Sequence, residues 1–436
     1  MVINVIGGGL AGSEACYYLA KKGYNVRLFD IKPDKFTPAH CNVNYGELVC
    51  SNSLKSSDVY GNACGLLKQE LLDLGSFVLR VALLTKVPAG NALAVDREEF
   101  ARKITEGLKS FPNVEFICKD VTEINFDEPT IIATGPLTTE GLSDFIRKNF
   151  SDGLYFYDAE APIIAGDSID FSEAFICDRY GEVGSGDYVN CPIDKEGYTA
   201  FYEALITAGR ATKHAFENED VKVFEGCMPV EVMAERGFDT LRFGPLKPAG
   251  LTDPRTGRWP YACMQLRKEN ESGTMYNIVG FQTNLLWGEQ KRVFSMFPAL
   301  KNAEFLRYGV MHRNTYIYAP AVLDKDFSVK AHPLCYFAGQ ITGVEGYVES
   351  IGSGLIAAIS LDRKLKNKPA VDFTDTTVIG ALAAYCSREN ADFQPMNANY
   401  GILRPVADTR DKKLKKKLMG ERSLAKIKEI SEIINE

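Results

Sequence analysis

The chain has 436 residues, of which 45% are hydrophobic and 25% charged, with a net charge of −7. That length exceeds what a single ordinary core organises, so two or more domains are expected, and the composition excludes a disordered chain. The longest apolar runs, such as LIAAISL near Leu355, are too short to span a bilayer, so no membrane partner is expected.

The apolar N-terminus has no basic segment before it and no small-residue cleavage site after it, and it reads as a first strand. The eleven cysteines are then expected to stay reduced in a cytoplasm. No C-x-x-C pair or His/Cys cluster has metal-ligand spacing, so no metal is expected.

The opening VINVIGGGLAGSEACYYLAKKGYNVRLFD reads as strand, tight turn, helix and strand. Val2 to Ile6 is the first strand. Gly7, Gly9 and Gly12 fit G-x-G-x-x-G: one glycine for the turn, one for close approach of a diphosphate, one for helix–strand packing. Gly7, Gly8, Gly9, Leu10, Ala11 and Gly12 are therefore candidate cofactor contacts at a helix N-terminus. The helix is predicted from Ser13 to Lys22, stopped by Gly23. Asp30 ends the second strand, where an acid can bind a ribose hydroxyl.

Next comes GELVCSNSLKS, in which Cys50 is open to three readings: buried filler, half of a redox disulfide, or nucleophile. Ser51 and Asn52 beside it can hydrogen-bond a thiolate or a cofactor edge. Asp96 to Leu108 is predicted to be a helix with a capping acid. Asp127 to Thr138 is predicted to be a strand ending in Ala133, Thr134 and Gly135, a second approach to the cofactor. The middle of the chain mixes short strands and turns, with Glu196 to Glu217 as its clearest predicted helix. Cys227 lies there in the loop-like FEGCMPVE, where nearby Glu225 would raise a thiol pKa and suit a proton donor or acceptor.

Basic residues crowd two stretches, Arg242 to Lys268 and Arg410 to Lys428, against an acidic remainder; such segregation can steer a polyanion to one face. Arg242, Lys247, Arg255, Arg258 and Arg267 are the phosphate candidates, while the tail reads equally well as a solvated helix face. Cys335 to Ala358 reads as strand, glycine-rich loop and helix, placing Gly339, Gln340, Gly343 and Gly346 against a flavin. The tail, Asp408 to Glu436, is predicted to be a helix that breaks at Gly420. The remaining cysteines, Cys41 and Cys118 among them, read as filler, and His40 as a structural histidine.

The fold class expected is α/β: a discontinuous, Rossmann-like FAD-binding domain of residues 1–145 plus 328–436, with an α/β domain of residues 150–327 inserted. A second dinucleotide fingerprint for NAD(P)H is absent.

Taken together, GGGLAGSEA, TPAHCNVNYGELVCSNSLKS, VPAGNALAVDREEF, YDAEAPIIAGDSID, FEGCMPVEVMAERG, LRFGPLKPAGLTDPRTG, YNIVGFQTNLLWGEQKRVF and FAGQITGVEGYVES make the chain resemble the folate- and FAD-dependent tRNA (uracil-5-)-methyltransferases, the TrmFO family, along nearly its whole length. The related GidA flavoproteins share the glycine motif but are longer. Asp30 stands where the family often has Glu, and Tyr45-Gly46 where Phe-Ala is common.

The resemblance implies FAD as cofactor, methylenetetrahydrofolate as one-carbon donor, NAD(P)H as reductant and tRNA as substrate, with methylation at C5 of the T-loop uridine. It carries a catalytic role over to Cys50 and Cys227; Cys50 is favoured as the nucleophile and Cys227 as its acid/base partner, the reverse remaining open. Tyr347 is a candidate to stack on the pterin, with Glu345 and Glu349 beside it. His312 and Arg313 are candidates to hold folate carboxylates or an RNA phosphate. The alternative is an NAD(P)H or thiol oxidoreductase without RNA. The sequence leaves the oligomeric state open.

Overall fold

The computed structural model describes residues 1–150, 154–182, 184–211, 228–391, 393–406 and 411–436, with backbone alone for 154–159 and 312–313. The first part of the chain forms β1 (Val2–Ile6), α1 (Leu10–Lys21), β2 (Asn25–Asp30), β3 (Ser53–Ser56), α2 (Ala63–Asp73), α3 (Phe77–Leu84), β4 (Lys86–Val87), β5 (Ala92–Val95), α4 (Arg97–Lys109), β6 (Val114–Cys118), β7 (Thr130–Ile132) and α5 (Glu140–Asn149). The middle forms β8 (Leu154–Ala159), β9 (Ile163–Ala165), β10 (Phe175–Ile176), β11 (Tyr188–Ile193), α6 (Lys195–Ile206), α7 (Val230–Glu235), α8 (Thr240–Phe243), β12 (Ala262–Lys268), β13 (Met275–Ile278), α9 (Trp287–Phe294), β14 (Phe305–Arg307) and β15 (Met311–Tyr316). The last part forms α10 (Ala319–Val322), β16 (Ser328–Val329), β17 (His332–Phe337), α11 (Tyr347–Leu365), α12 (Val378–Ser387) and α13 (Lys412–Asn435).

Two six-stranded sheets organise these elements. The first runs β16-β17-β7-β1-β2-β6, parallel except where β16 meets β17. It therefore joins strands from the two ends of the chain, with β7 between β1 and β17. The second, β10-β11-β12-β13-β9-β14, is antiparallel throughout and comes wholly from the middle. Each sheet has its own apolar core, one reaching from Ile3 to Ile434 and the other from Ile164 to Ala303. β8 pairs antiparallel with β15, and a small sheet, β3-β5-β4, follows the Cys50 segment.

The central strand β7 is buried on both faces, as helices on each side require, while the edge strand β6 is partly exposed. α11 crosses α1 so closely that a side-chain carbon at Gly354 would collide with the Ala11 carbonyl. α4 begins where an acid can cap it: Asp96 accepts the Glu99 N–H at 3.1 Å.

Two predicted helices differ from those found. α6 stops at Ile206, because the chain then turns to bridge Arg210 to Leu285; residues 212–217 lie outside the described residues. α13 runs through Gly420 without a break, because the missing side chain lets the helix lie against the Tyr60 ring, where a Cβ would come within 2.8 Å. No helix among the described residues is long and apolar enough to cross a membrane.

The terminal helices are joined by a buried acid. Glu70 of α2 accepts the Val378 N–H at 2.8 Å and the Ile379 N–H at 3.0 Å, capping α12, and also takes the Ser423 hydroxyl of α13. Burial pushes its pKa up to about 7, from an ordinary carboxyl value of 4.5, despite those three donors. The folded state then holds a proton that the unfolded chain releases, so stability is fully present below about pH 4.5 and declines as pH rises through 7. We expect the Glu70→Gln variant to lose a pH-dependent component of unfolding free energy of about 3 kcal/mol between pH 4.5 and 7, measured by denaturant unfolding; an unchanged slope would exclude Glu70 as its source.

Candidate active site

The carboxyl ends of β1, β7 and β17 open onto a cleft lined by Gly7, Ala133 and Gly339, the place where an open parallel sheet binds ligands. Its glycines do different work. Gly7 turns at φ +103°, and a Cβ there would lie 2.5 Å from the Ala133 carbonyl oxygen. At Gly12 a Cβ would collide with the Gly7 carbonyl, so this residue sets helix–strand packing. A Cβ on Gly9 would meet nothing within 4 Å, and Gly9 lines the cleft. Gly9 is also the N-cap of α1 and caps it with no side chain, which leaves the first-turn amides for an anion.

Asp30 accepts the Gly8 N–H at 2.7 Å and the Lys32 N–H at 2.9 Å, holding the carboxylate at the glycine turn. Leu10, Ala11, Ala133, Thr134, Gly135, Gly339 and Gln340 also line the cleft, whereas Gly343 and Gly346 bend the loop behind it at φ +88° and +118°. An open cradle over uncapped amides, with an acid at the end of β2, fits an adenosine dinucleotide. Lys32 and Glu47 close one end, the lysine bonded to the carbonyls of Asn42 and Asn44 and Glu47 accepting the N–H groups of Cys41 (2.9 Å) and Asn42 (3.1 Å).

Cys50 is held beside this cleft from two directions. Its N–H donates to the Tyr347 hydroxyl at 2.8 Å, and the Ser51 N–H donates to the same oxygen at 3.2 Å. Tyr347 and Val49 both line the cleft. Burial raises the Tyr347 pKa, Cys50 adds to the rise and Arg97 opposes it. From the other side, Arg267 of β12 donates to Ser51 Oγ at 2.7 Å and to Asn52 Oδ1 at 3.0 Å. The Asn52 amide donates to the carbonyls of Val95 and Lys268, each at 3.0 Å. The segment carrying Cys50 is thus fastened to both sheets.

The predicted residues sort unevenly around this centre. Asn52 is wholly buried and spends its side chain on protein partners; Ser51 and Asn52 are absent from the cleft wall. Arg267 is a correction: at 6% exposure it is no phosphate contact, because it sits on a buried strand clamping residues 51 and 52. Arg242 stacks 3.8 Å over the Tyr261 ring and pairs with Asp239, and Arg255 pairs with Asp253 and Glu173. Lys247 and Arg258 are exposed.

Glu345 accepts from Gln340 at 2.9 Å, and the fully buried Glu349 accepts the Ala398 N–H at 2.9 Å. His40 lines the cleft and contacts Thr37 Oγ1 at 2.5 Å; burial lowers its pKa. Cys41 and Cys118 are exposed, so neither is filler; both sit at loop or edge positions without a layer above them. Cys227 and the side chains of His312 and Arg313 lie outside the described residues, although β15 carries the backbone of both.

Sequence reasoning missed Arg97 and Glu269. Arg97 donates to the Val49 carbonyl at 3.2 Å and to Glu269 at 3.0 Å. The available signal was a lone arginine after a capping acid in VDREEF, which reads as an ordinary first-turn residue.

The chain matches the family model described as GIDA, glucose inhibited division protein A, over residues 2–369. It is 52% identical over 434 residues to the methylenetetrahydrofolate--tRNA-(uracil-5-)-methyltransferase TrmFO of Natranaerobius thermophilus, covering 99% of each chain. It is 51% identical over 440 residues to the protein of the same name from Caldicellulosiruptor bescii, covering 100% of each. Among solved structures it is similar to Aquifex aeolicus GidA, at a TM-score of 0.71 and 15% identity, over 99% of this chain and 73% of that one.

The contrast between two glycines is testable. Gly9→Val is expected to melt within about 3 °C of cofactor-stripped wild type yet to bind at least about tenfold less dinucleotide. Gly12→Ala is expected to unfold at markedly lower temperature, since its added carbon has no space. Calorimetry and the absorbance of the bound chromophore read both; equal cofactor content in Gly9→Val and wild type would contradict the assigned cradle.

Proposed function

The chain belongs to the TrmFO methylenetetrahydrofolate--tRNA-(uracil-5-)-methyltransferases within the wider GidA family, and we propose from that premise how its own residues carry out the reaction. The enzyme methylates C5 of a tRNA uracil with the carbon of methylenetetrahydrofolate and uses FAD; the T-loop uridine is the proposed target and NAD(P)H the proposed reductant. The observation that carries the reading is the placement of Cys50: its backbone hangs from Tyr347, whose ring lines the dinucleotide cleft.

The domain reading follows the two sheets. Residues 1–145 and 328–436 are taken as the FAD-binding unit and residues 150–327 as an inserted unit that presents the RNA-facing surface. Bound in the cleft and reduced by NAD(P)H, the flavin would supply the hydride that turns a transferred methylene into a methyl group.

The protein's part is to make C5 of uracil a nucleophile. The Cys50 thiolate adds to C6, which raises electron density at C5 and lets that carbon attack the activated methylene of the folate. Cys227 takes the C5 proton as the folate leaves. Expulsion of the Cys50 thiolate at the end restores the ring. Tyr347 holds the backbone of Cys50 while its ring forms part of the wall on which a flat ligand rests. Lys247 and Arg258, both exposed, are the proposed phosphate contacts of the inserted unit.

The test mixes unmodified tRNA transcript, methylenetetrahydrofolate, NAD(P)H and flavin-loaded protein, then measures ribothymidine. Cys50→Ala and Cys227→Ala are each expected to lower product by at least about 1,000-fold while retaining flavin. Near-full activity in either variant would remove that cysteine from the mechanism, and methyl transfer from S-adenosylmethionine instead of folate would overturn the reading.

A further inference from the structure

Arg97 begins α4 on the first-sheet side of the site, and Glu269 follows β12 of the second sheet. Their side chains meet largely out of solvent: Arg97 is 13% and Glu269 2% exposed, and one carboxylate oxygen accepts from Nε (3.0 Å) and lies 2.9 Å from Nη2, which makes an ion-pair contact without a hydrogen bond. The second oxygen of Glu269 is buried without a hydrogen-bond partner. The remaining arm of the guanidinium, Nη1, holds the Val49 carbonyl at 3.2 Å, and that carbonyl belongs to the peptide unit leading directly into Cys50.

A buried ion pair gains little over well-packed apolar residues, so stability alone does not account for one here. Its position accounts for it better. A cation one peptide away from a thiol favours the thiolate, and an anion behind the cation tempers that effect.

We infer that the Arg97–Glu269 pair is a positioning device for Cys50, which fixes the carbonyl ahead of the thiol and sets by its charge balance how readily the thiol ionises. The inference rests on the reading of Cys50 as the nucleophile. Other groups face the same segment: Tyr347 from α11, Arg267 from β12, and Glu160, which adds to the field at Arg97; Lys55 of the following β3 pairs instead with Glu349. Burial works against the Arg97 charge, and Glu269 with Tyr347, Glu160 and Cys50 outweighs it. Arg97 couples the thiol's own peptide to a charge delivered by the other sheet. Lobe docking and nucleophile activation therefore share one contact.

The experiment measures carboxamidomethylation of the half-buried Cys50 against pH in flavin-loaded protein, read by mass spectrometry of the Cys50 peptide because Cys41 and Cys118 are exposed and react too. In E269Q the uncompensated guanidinium is expected to move the alkylation midpoint about one pH unit toward acid, roughly tenfold more thiolate at a fixed pH. The double variant R97Q/E269Q leaves no buried charge unpaired and keeps the test available where a single variant fails to fold. Its midpoint is expected alkaline of wild type, because the charge bonded to the Cys50 segment is the positive one.

R97K keeps the charge and loses the fork, so its midpoint is expected to stay within about half a unit, while kcat for tRNA methylation falls about tenfold at unchanged KM for tRNA. An E269Q midpoint at or alkaline of wild type overturns the proposal, as does an R97Q/E269Q midpoint that does not move. Alkylation needs neither RNA nor folate, so failure of methylation in every variant and wild type would sink the functional reading while leaving these shifts to be judged on their own.

Discussion

The site depends on one buried amide. Asn52 donates to the Val95 carbonyl on one side and the Lys268 carbonyl on the other, and accepts from Arg267. Apolar contacts between two lobes are non-directional and tolerate sliding, whereas an amide with three assigned partners does not. Each such bond contributes only about 0.5–1.5 kcal/mol net, but leaving a buried polar group unmatched costs about 1–3 kcal/mol. The contact therefore acts less as adhesive than as a register mark: the lobes can close in one arrangement, and that arrangement puts Cys50 beside the cleft.

Around that mark the two sheets contribute different things. The parallel sheet supplies strand ends, an uncapped helix and an acid, which together are a dinucleotide's binding chemistry. The antiparallel sheet supplies groups at the end of a single strand: the Arg267 side chain, the Lys268 carbonyl and the Glu269 side chain just beyond it all reach across to the segment from Val49 to Asn52 or to the arginine that holds it. The parallel sheet thus carries the cofactor chemistry, while the antiparallel sheet helps to hold the segment that bears Cys50.

How much of this was legible follows from the range over which each signal acts. The glycine turn was plain because its constraints are local: Gly7 and Gly12 collide with neighbours a few residues away or with the adjacent strand. Asp96 was legible as a cap because the residue it caps is three positions on. Arg267 was misread because a basic residue in a run of basic residues looks exposed, while the strand ACMQLRK around it is almost entirely buried. Gly420 was misread because what it accommodates, Tyr60, lies hundreds of positions earlier. Arg97 and Glu269 are individually unremarkable letters, and only folding brings them together. The fold class was carried by local periodicity and by family resemblance, whereas the polar clamp required knowing which strands end where.

The order of the first sheet has a consequence for how the protein is made. β7 lies between β1 and β17, and the wall of the cleft includes Gly339, Tyr347 and Ser350. An N-terminal nascent chain holds the glycine turn but not the wall facing it, and the whole middle lobe emerges from the ribosome before that wall exists. The complete cleft can therefore form only after the C-terminal segment has emerged. Until then the exposed edge of β7 waits for a strand some two hundred residues downstream, a long-range closure of the kind that makes folding slow and leaves a sheet edge open to the wrong partner.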